Sequence, residues 1–261
     1  MNYFELCGVP CSGKSFLKKK LIKEKKLFFD EPYELIIFFF IKKCRLKIKD
    51  YLKITFFLFI KLSCIQSLKK FKLKKRIVKK KNKNITFENY NQLKIGFLSI
   101  DKFYEEVLDR IDKKFNIKKK DKFYQFISRE LDTIHQNKQF NLRYKRWIFE
   151  NLVIIRILKN ISKKKKITFI YDEGLVHKLF IIFSIHKDKK KFIKLSLKYF
   201  KPHGLTIFID SNIKSIFKRS KKRKINGTGF IYNNLSQVKE ELKNFKYFKK
   251  LITPHINFRE N

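Results

Sequence analysis

Residues 8–15 read Gly8-Val9-Pro10-Cys11-Ser12-Gly13-Lys14-Ser15, a full match to the phosphate-binding pattern G-x-x-x-x-G-K-[ST]. The chemistry of that spacing is capture of a polyphosphate. Backbone N–H groups of such a loop point inward around a phosphate, glycines permit the tight path, and the start of the following helix adds partial positive charge. Gly8, Pro10, Cys11, Ser12, Gly13, Lys14, Ser15 and Phe16 form the expected nucleotide-binding stretch. In it Lys14 would reach the outer phosphates and the Ser15 hydroxyl would ligate Mg²⁺.

Two acids stand where a partner for that hydroxyl is needed. The apolar run Ile167-Thr168-Phe169-Ile170-Tyr171 ends at Asp172-Glu173-Gly174. A buried strand ending in an acid beside a phosphate loop supplies the second half of a Mg²⁺–nucleotide site. Asp172 is expected to hold the metal, and Glu173 to share that task or to orient a nucleophile. The competing role for both is capping of the next helix. His177 lies one helical turn further on, where it could face the site, but a packing or surface role is the expected one.

A third group is Arg219 and Arg223, four residues apart and therefore on one face of a helix, where both can reach a transferred phosphoryl group. Lysine supplies 55 of the 65 cationic residues, so an arginine pair at this spacing is less expected by chance. Arginine's planar fork is also the better clamp for phosphate oxygens. Asn226-Gly227-Thr228-Gly229 follows as a break suited to a closing flap, so 211–235 reads as a lid-like region.

Positioning these groups requires strands that end at one edge. Tyr3-Phe4-Glu5-Leu6-Cys7 leads into the loop as a strand, and Ser15-Phe16-Leu17-Lys18 leads out as a helix. Lys26-Leu27-Phe28-Phe29 resembles a short second strand ending at Asp30-Glu31-Pro32. From 33 to 160 the pattern is mostly helical, as in Phe103, Val107, Leu108 and Ile111, or Trp147, Leu152, Ile155 and Leu158. Ile167–Tyr171 and Leu205–Ile209 restore strands rich in β-branched and aromatic residues. The expected fold class is α/β, a P-loop NTPase three-layer sandwich with a mainly parallel sheet, helices on both faces and a large helical middle region. A single domain over 1–261 is expected.

Composition bounds the partners. The formal net charge is +42, the chain has 30 Phe, and alanine is absent. Such a charge is suited to nucleic acid or an anionic membrane. Extreme AT bias of the coding sequence would give the same lysine-, phenylalanine- and asparagine-rich composition without selection for a basic surface. Cys7, Cys11, Cys44 and Cys64 lack metal-finger spacing and read as reduced thiols. With a phosphate loop in the first 15 residues no leader peptide is expected, and the expected location is cytoplasmic. The apolar runs Leu35–Ile41 and Ile54–Ile60, seven residues each, are too short to span a bilayer.

Together the motifs resemble the P-loop nucleoside and nucleotide kinases, especially thymidylate kinase and the deoxynucleoside kinases. The order is similar: phosphate loop, acidic-proline turn at Asp30-Glu31-Pro32, helical stretch, strand with an acidic triplet, Pro202 to Asp210, then Arg219 to Arg223. The resemblance implies a kinase using ATP and Mg²⁺, and places Glu31 near the acceptor hydroxyl as a catalytic candidate. The chain departs at the triplet, Asp172-Glu173-Gly174, where thymidylate kinases carry Asp-Arg-Tyr and deoxynucleoside kinases Glu-Arg-Ser. Short P-loop proteins with an Asp-Glu-Gly triplet look like ATP-binding proteins of bacterial surface-polysaccharide gene sets. The expected activity is therefore phosphotransfer to a nucleotide, nucleoside or sugar-type acceptor. Two other readings stay open, a nucleotide-binding regulatory ATPase without an acceptor and a basic nucleic-acid-associated P-loop protein.

Overall fold

A computed structural model describes residues 2–25, 32–43, 103–134, 138–161, 168–200, 203–226 and 232–260. The chain divides into two compact units, Met1–Leu35 with Phe115–Asn261, and Ile36–Lys114. In chain order the elements are β1 (Asn2–Cys7), α1 (Lys14–Lys25), α2 (Pro32–Lys43), α3 (103–115), α4 (Ile117–Lys120), α5 (Lys122–Ile134) and α6 (Lys138–Ile161). There follow β2 (Thr168–Tyr171), α7 (Leu175–Ile185), α8 (Lys189–Tyr199), β3 (Leu205–Phe208), α9 (Ile213–Asn226), α10 (Leu235–Ile252), a 3-10 turn (Thr253–His255) and β4 (Phe258–Glu260).

The described strands form one sheet in the order β2-β1-β3-β4, with every pairing parallel. Tyr3 pairs with Phe169 on one side of β1, and Leu6 with Ile207 on the other. Because β1 is central, the chain leaves it toward β2 in one direction and β3 in the other. That reversal opens a crevice beyond the carboxyl end of β1. The fold is α/β and mostly helical. Asn116 and Asp121 are the only described residues between 32 and 161 outside a helix. The second unit's described core contains Val107, Leu108 and Ile111 of α3, as their spacing anticipates.

Strand alternation assigns β1's side chains to two layers. Leu6 packs with Ile170, Ile209 and, from α1, Leu17 and Leu21. Glu5 points to the opposite face, toward the start of α7. Beyond it α7 and α10 share an aromatic cluster: Phe180 meets Phe245 and Phe248 at 5.1 and 5.5 Å, and Phe183 meets Phe248 at 5.3 Å. Each such pair contributes about 0.5–1.5 kcal/mol beyond area burial. Helices thus cover both faces of β1.

The strands anticipated at 3–7, 167–171 and 205–209 form with bounds shifted by a residue. β4 was not anticipated, since three residues carry no alternation to read. The strand expected at Lys26–Phe29, the acidic-proline residues Asp30 and Glu31, the flap glycines Gly227 and Gly229, and Pro202, Cys44 and Cys64 lie outside the described residues. Among the described residues no helix is long and apolar enough to cross a membrane.

Candidate functional site

The loop from Gly8 to Gly13 turns at the carboxyl end of β1, in the crevice. Its tight path puts Cys11 at φ 63° and Gly13 at φ 112°, and the Gly13 carbonyl accepts from the N–H groups of Phe16 and Leu17 as α1 starts. Only glycine adopts the Gly13 conformation without strain. Gly8 is needed for space, since a Cβ there would lie 2.8 Å from Ser12 Oγ. The Ser12 hydroxyl is buried with no hydrogen-bond partner. Phe16, at the start of α1, is 77% exposed.

Lys14 folds back over the loop. Its Nζ donates to the carbonyls of Gly8 at 2.7 Å and Val9 at 3.1 Å. Burial lowers the lysine pKa, while Cys7, Glu173 and Asp172 act in the opposite direction. Ser15 Oγ donates to Asp172 Oδ2 at 3.0 Å across 157 residues of chain, so the hydroxyl and the strand-end acid meet. Lys18, one turn further along α1 and buried, lies 3.5 Å from Asp172 Oδ1. Sequence reasoning missed Lys18. Its offset of four residues from Lys14 was the available signal, because it places both on one helix face.

Glu173 is engaged differently. Its Oε2 accepts from Lys178 Nζ at 2.5 Å, and Lys178, only 2% exposed, also lies 4.1 Å above the Trp147 ring. The buried lysine thus has a carboxylate and an aromatic face as partners. Neither role was legible beforehand.

From α9, Arg219 reaches the loop, and the charge of Arg223 on the same helix face acts on the Cys11 thiol. Arg219 Nη1 donates to the Ser12 carbonyl at 2.7 Å and the Cys11 carbonyl at 3.2 Å. Ser211 Oγ donates to the same Ser12 carbonyl at 2.6 Å. Arg219 therefore clasps the loop's outer carbonyls. Burial raises the Cys11 thiol pKa, against the opposing influence of Arg223, Lys14 and Arg219.

Glu5 was also missed. Its carboxyl is fully buried, Oε1 accepts from the His177 N–H at 2.7 Å, and the Val176 and Leu175 N–H groups also point to it. Desolvation nonetheless dominates and pushes its pKa from 4.5 to about 8. A Cβ on Gly174 would overlap this carboxyl group, so glycine in the triplet is what admits Glu5 to the start of α7. A lone acid in an apolar strand was the signal. His177 is buried, so of the packing and surface roles it takes packing, and burial, then Lys14 and Lys178, hold its pKa well below 6.5.

The structure therefore brings the loop, Asp172 and Arg219 together, with the Arg223 charge acting on Cys11 and Lys14, and ties Glu173 to Lys178; Glu31 falls outside the described residues. Among the described residues no cluster of three or more His, Cys, Asp or Glu side chains could hold a metal by itself. No family model, curated protein or solved structure matches the chain.

Proposed function

We propose that this chain is a Mg²⁺- and ATP-dependent P-loop phosphotransferase, a three-layer sandwich whose phosphate site lies at the carboxyl end of β1. The observation that carries the reading is the loop itself. A complete Walker-type sequence occupies the switch point of a parallel sheet, with Lys14 over its carbonyls and Ser15 bonded to a strand-end aspartate. The donors suit Mg²⁺, a hard cation held by one or two carboxylates, with phosphate oxygens and water completing its shell. Ser15 and Asp172 would hold the ion, which when bound neutralises charge on the phosphates. Lys14 would leave the Gly8 and Val9 carbonyls for the outer phosphates. Arg223 would stabilise charge on the transferred group, and Arg219 would keep the loop closed around the rest.

Asp172→Asn tests the metal assignment. ATP affinity measured by calorimetry should fall steeply with Mg²⁺ present and little with EDTA. Equal losses in both conditions would assign Asp172 to partnering Lys18 and capping, and remove it from the metal site.

The two arginines separate an enzyme from a nucleotide binder. Arg223→Ala should lower ADP release by about 10²-fold or more with modest change in ATP affinity, because charge stabilisation acts mainly in the transition state. Arg219→Ala should weaken affinity as well, since the loop loses its clasp. Turnover unchanged in both variants would overturn the phosphotransferase reading.

A further inference from the structure

Both oxygens of the Asp172 carboxylate are engaged, and the two contacts differ in what they leave for a metal. Ser15 Oγ donates its proton to Oδ2 at 3.0 Å and keeps its lone pairs. That contact is compatible with a cation shared by the hydroxyl and the carboxylate. The Lys18 ammonium, 3.5 Å from Oδ1, carries only donors and a positive charge. It therefore stands at the carboxylate oxygen that a metal would also seek. The Lys18 side chain is 7% exposed against 22% for Asp172, so solvent and salt screen the ammonium little.

The other contacts at this edge of the sheet have the same sign. Glu173, the second acid of the triplet, is held by the buried Lys178 at 2.5 Å. Lys14 lies on the Gly8 and Val9 carbonyls, and Arg219 on those of Cys11 and Ser12. Lys14, Lys18, Lys178 and Arg219 thus each touch the loop or one of its two strand-end acids, and each acid has a lysine against it. Among the described residues no cluster of three or more acids, thiols or imidazoles forms a metal site. A divalent ion arriving alone would gain one carboxylate, take it from a buried ammonium and face that charge at short range. Removing the partner of a buried ion is costly. A polyphosphate reverses the balance, because it brings several negative charges and the oxygens that complete the shell of Mg²⁺.

We propose that Lys18 is the built-in counter-cation of Asp172, a positioning residue that bars free divalent metal from the site and admits Mg²⁺ only together with a polyphosphate. This rests on the phosphotransferase reading and adds to it the order in which the site fills. In the absence of nucleotide Lys18 holds the carboxylate in place. With nucleotide bound, the phosphate charge offsets Lys18 and frees Asp172 for the metal. Metal and nucleotide then bind with positive coupling, and by linkage each raises the affinity of the other by the same factor.

The test uses the full chain and three variants. Lys18→Met removes the charge and keeps the apolar stem, Lys18→Arg keeps the charge, and Lys18→Met with Asp172→Asn removes both partners. Mn²⁺ is the probe metal without nucleotide, followed by the EPR signal of the free ion. ATP affinity in EDTA is followed by calorimetry, and melting temperature is read on each protein. Wild type and Lys18→Arg should bind Mn²⁺ more weakly than about 1 mM, the weak end of protein sites for divalent ions. Lys18→Met should bind it about tenfold or more tightly than wild type, the scale of one removed like charge at a partly buried site. The same variant should bind ATP in EDTA more weakly, since the polyphosphate loses an attracting cation. A lysine that serves only the fold would not move the two affinities in opposite directions. Lys18→Met should also melt below wild type in EDTA and regain part of the loss with Mn²⁺, and the double variant should show neither the tighter metal nor the recovery. Mn²⁺ binding by wild type tighter than about 1 mM without nucleotide would overturn the proposal, and this arm decides even if Lys18→Met does not fold. Unchanged Mn²⁺ affinity in a folded Lys18→Met protein, or tighter metal that persists in the double variant, would overturn it as well. Failure of wild type to bind ATP with Mg²⁺ would instead overturn the phosphotransferase reading, while the Mn²⁺ arms would still decide whether Lys18 keeps metal from Asp172.

Discussion

Lys14→Ala is expected to remove nearly all ATP-dependent turnover while leaving the fold intact. Its ammonium touches the loop carbonyls of Gly8 and Val9 and contributes nothing to the apolar core. Removing it loosens two hydrogen bonds in a loop that also keeps the Arg219 and Ser211 contacts. The stability change should therefore be about 1–3 kcal/mol, the worth of two ordinary hydrogen bonds. Loss of the charge that meets the developing phosphates should lower turnover by about 10²–10³-fold, as removal of one preorganised transition-state donor does. Thermal melting and ADP release measured on the same preparation separate the two effects. Full turnover in a folded Lys14→Ala protein would mean the loop does not serve phosphate chemistry. A protein that fails to fold would mean that Lys14 is a structural lysine serving the loop carbonyls.

What the sequence made legible is local. The loop's spacing is self-contained, so Gly8 to Ser15 could be placed on a strand-to-helix turn before any partner was known. Asp172 was legible because a buried strand must end somewhere, and its end is where a ligand site opens. Arg219 and Arg223 were legible as a face, but helical spacing says which way a pair points and not what it touches. The clasp on Cys11 and Ser12 is a tertiary fact, separated in sequence by more than 200 residues. Glu5 and the N–H of His177 are 172 residues apart. One charged residue in an apolar strand signals a buried partner without identifying it. Lys178 was hidden for another reason: lysine is so common here that a buried one looks like any solvated one.

Glu5 leads to the prediction least expected of a protein this basic, a loss of stability toward neutral and mildly alkaline pH. The unfolded chain releases the Glu5 proton near 4.5, whereas the folded protein holds it to about 8. Between those values the folded state binds a proton that the unfolded state has lost, so stability falls as pH rises across the window and levels off above it. The full span is worth about 5 kcal/mol at the usual conversion of pKa shift to free energy. That is a large share of the 5–15 kcal/mol of an ordinary domain. His177 acts in the opposite sense, because its depressed pKa removes stability as pH drops below 6.5. Tyr3, Cys7 and Lys178 also face this region, but the first two stay neutral throughout the window, their burial having raised both pKa values well above the ordinary ones. Comparison with Glu5→Gln isolates the carboxyl group, since the amide has nearly the same shape and cannot titrate. Denaturant unfolding at pH 5, 6.5 and 8 should show wild type losing stability relative to Glu5→Gln at each step, with the largest gap at pH 8. Replacing Gly174 with Ala should destabilise both proteins at every pH, because the added methyl displaces whichever side chain occupies the Glu5 site. A wild-type minus Glu5→Gln difference that stays constant from pH 5 to 8 would mean the N–H groups of α7 keep the carboxylate ionised, and that the helix start outweighs desolvation here.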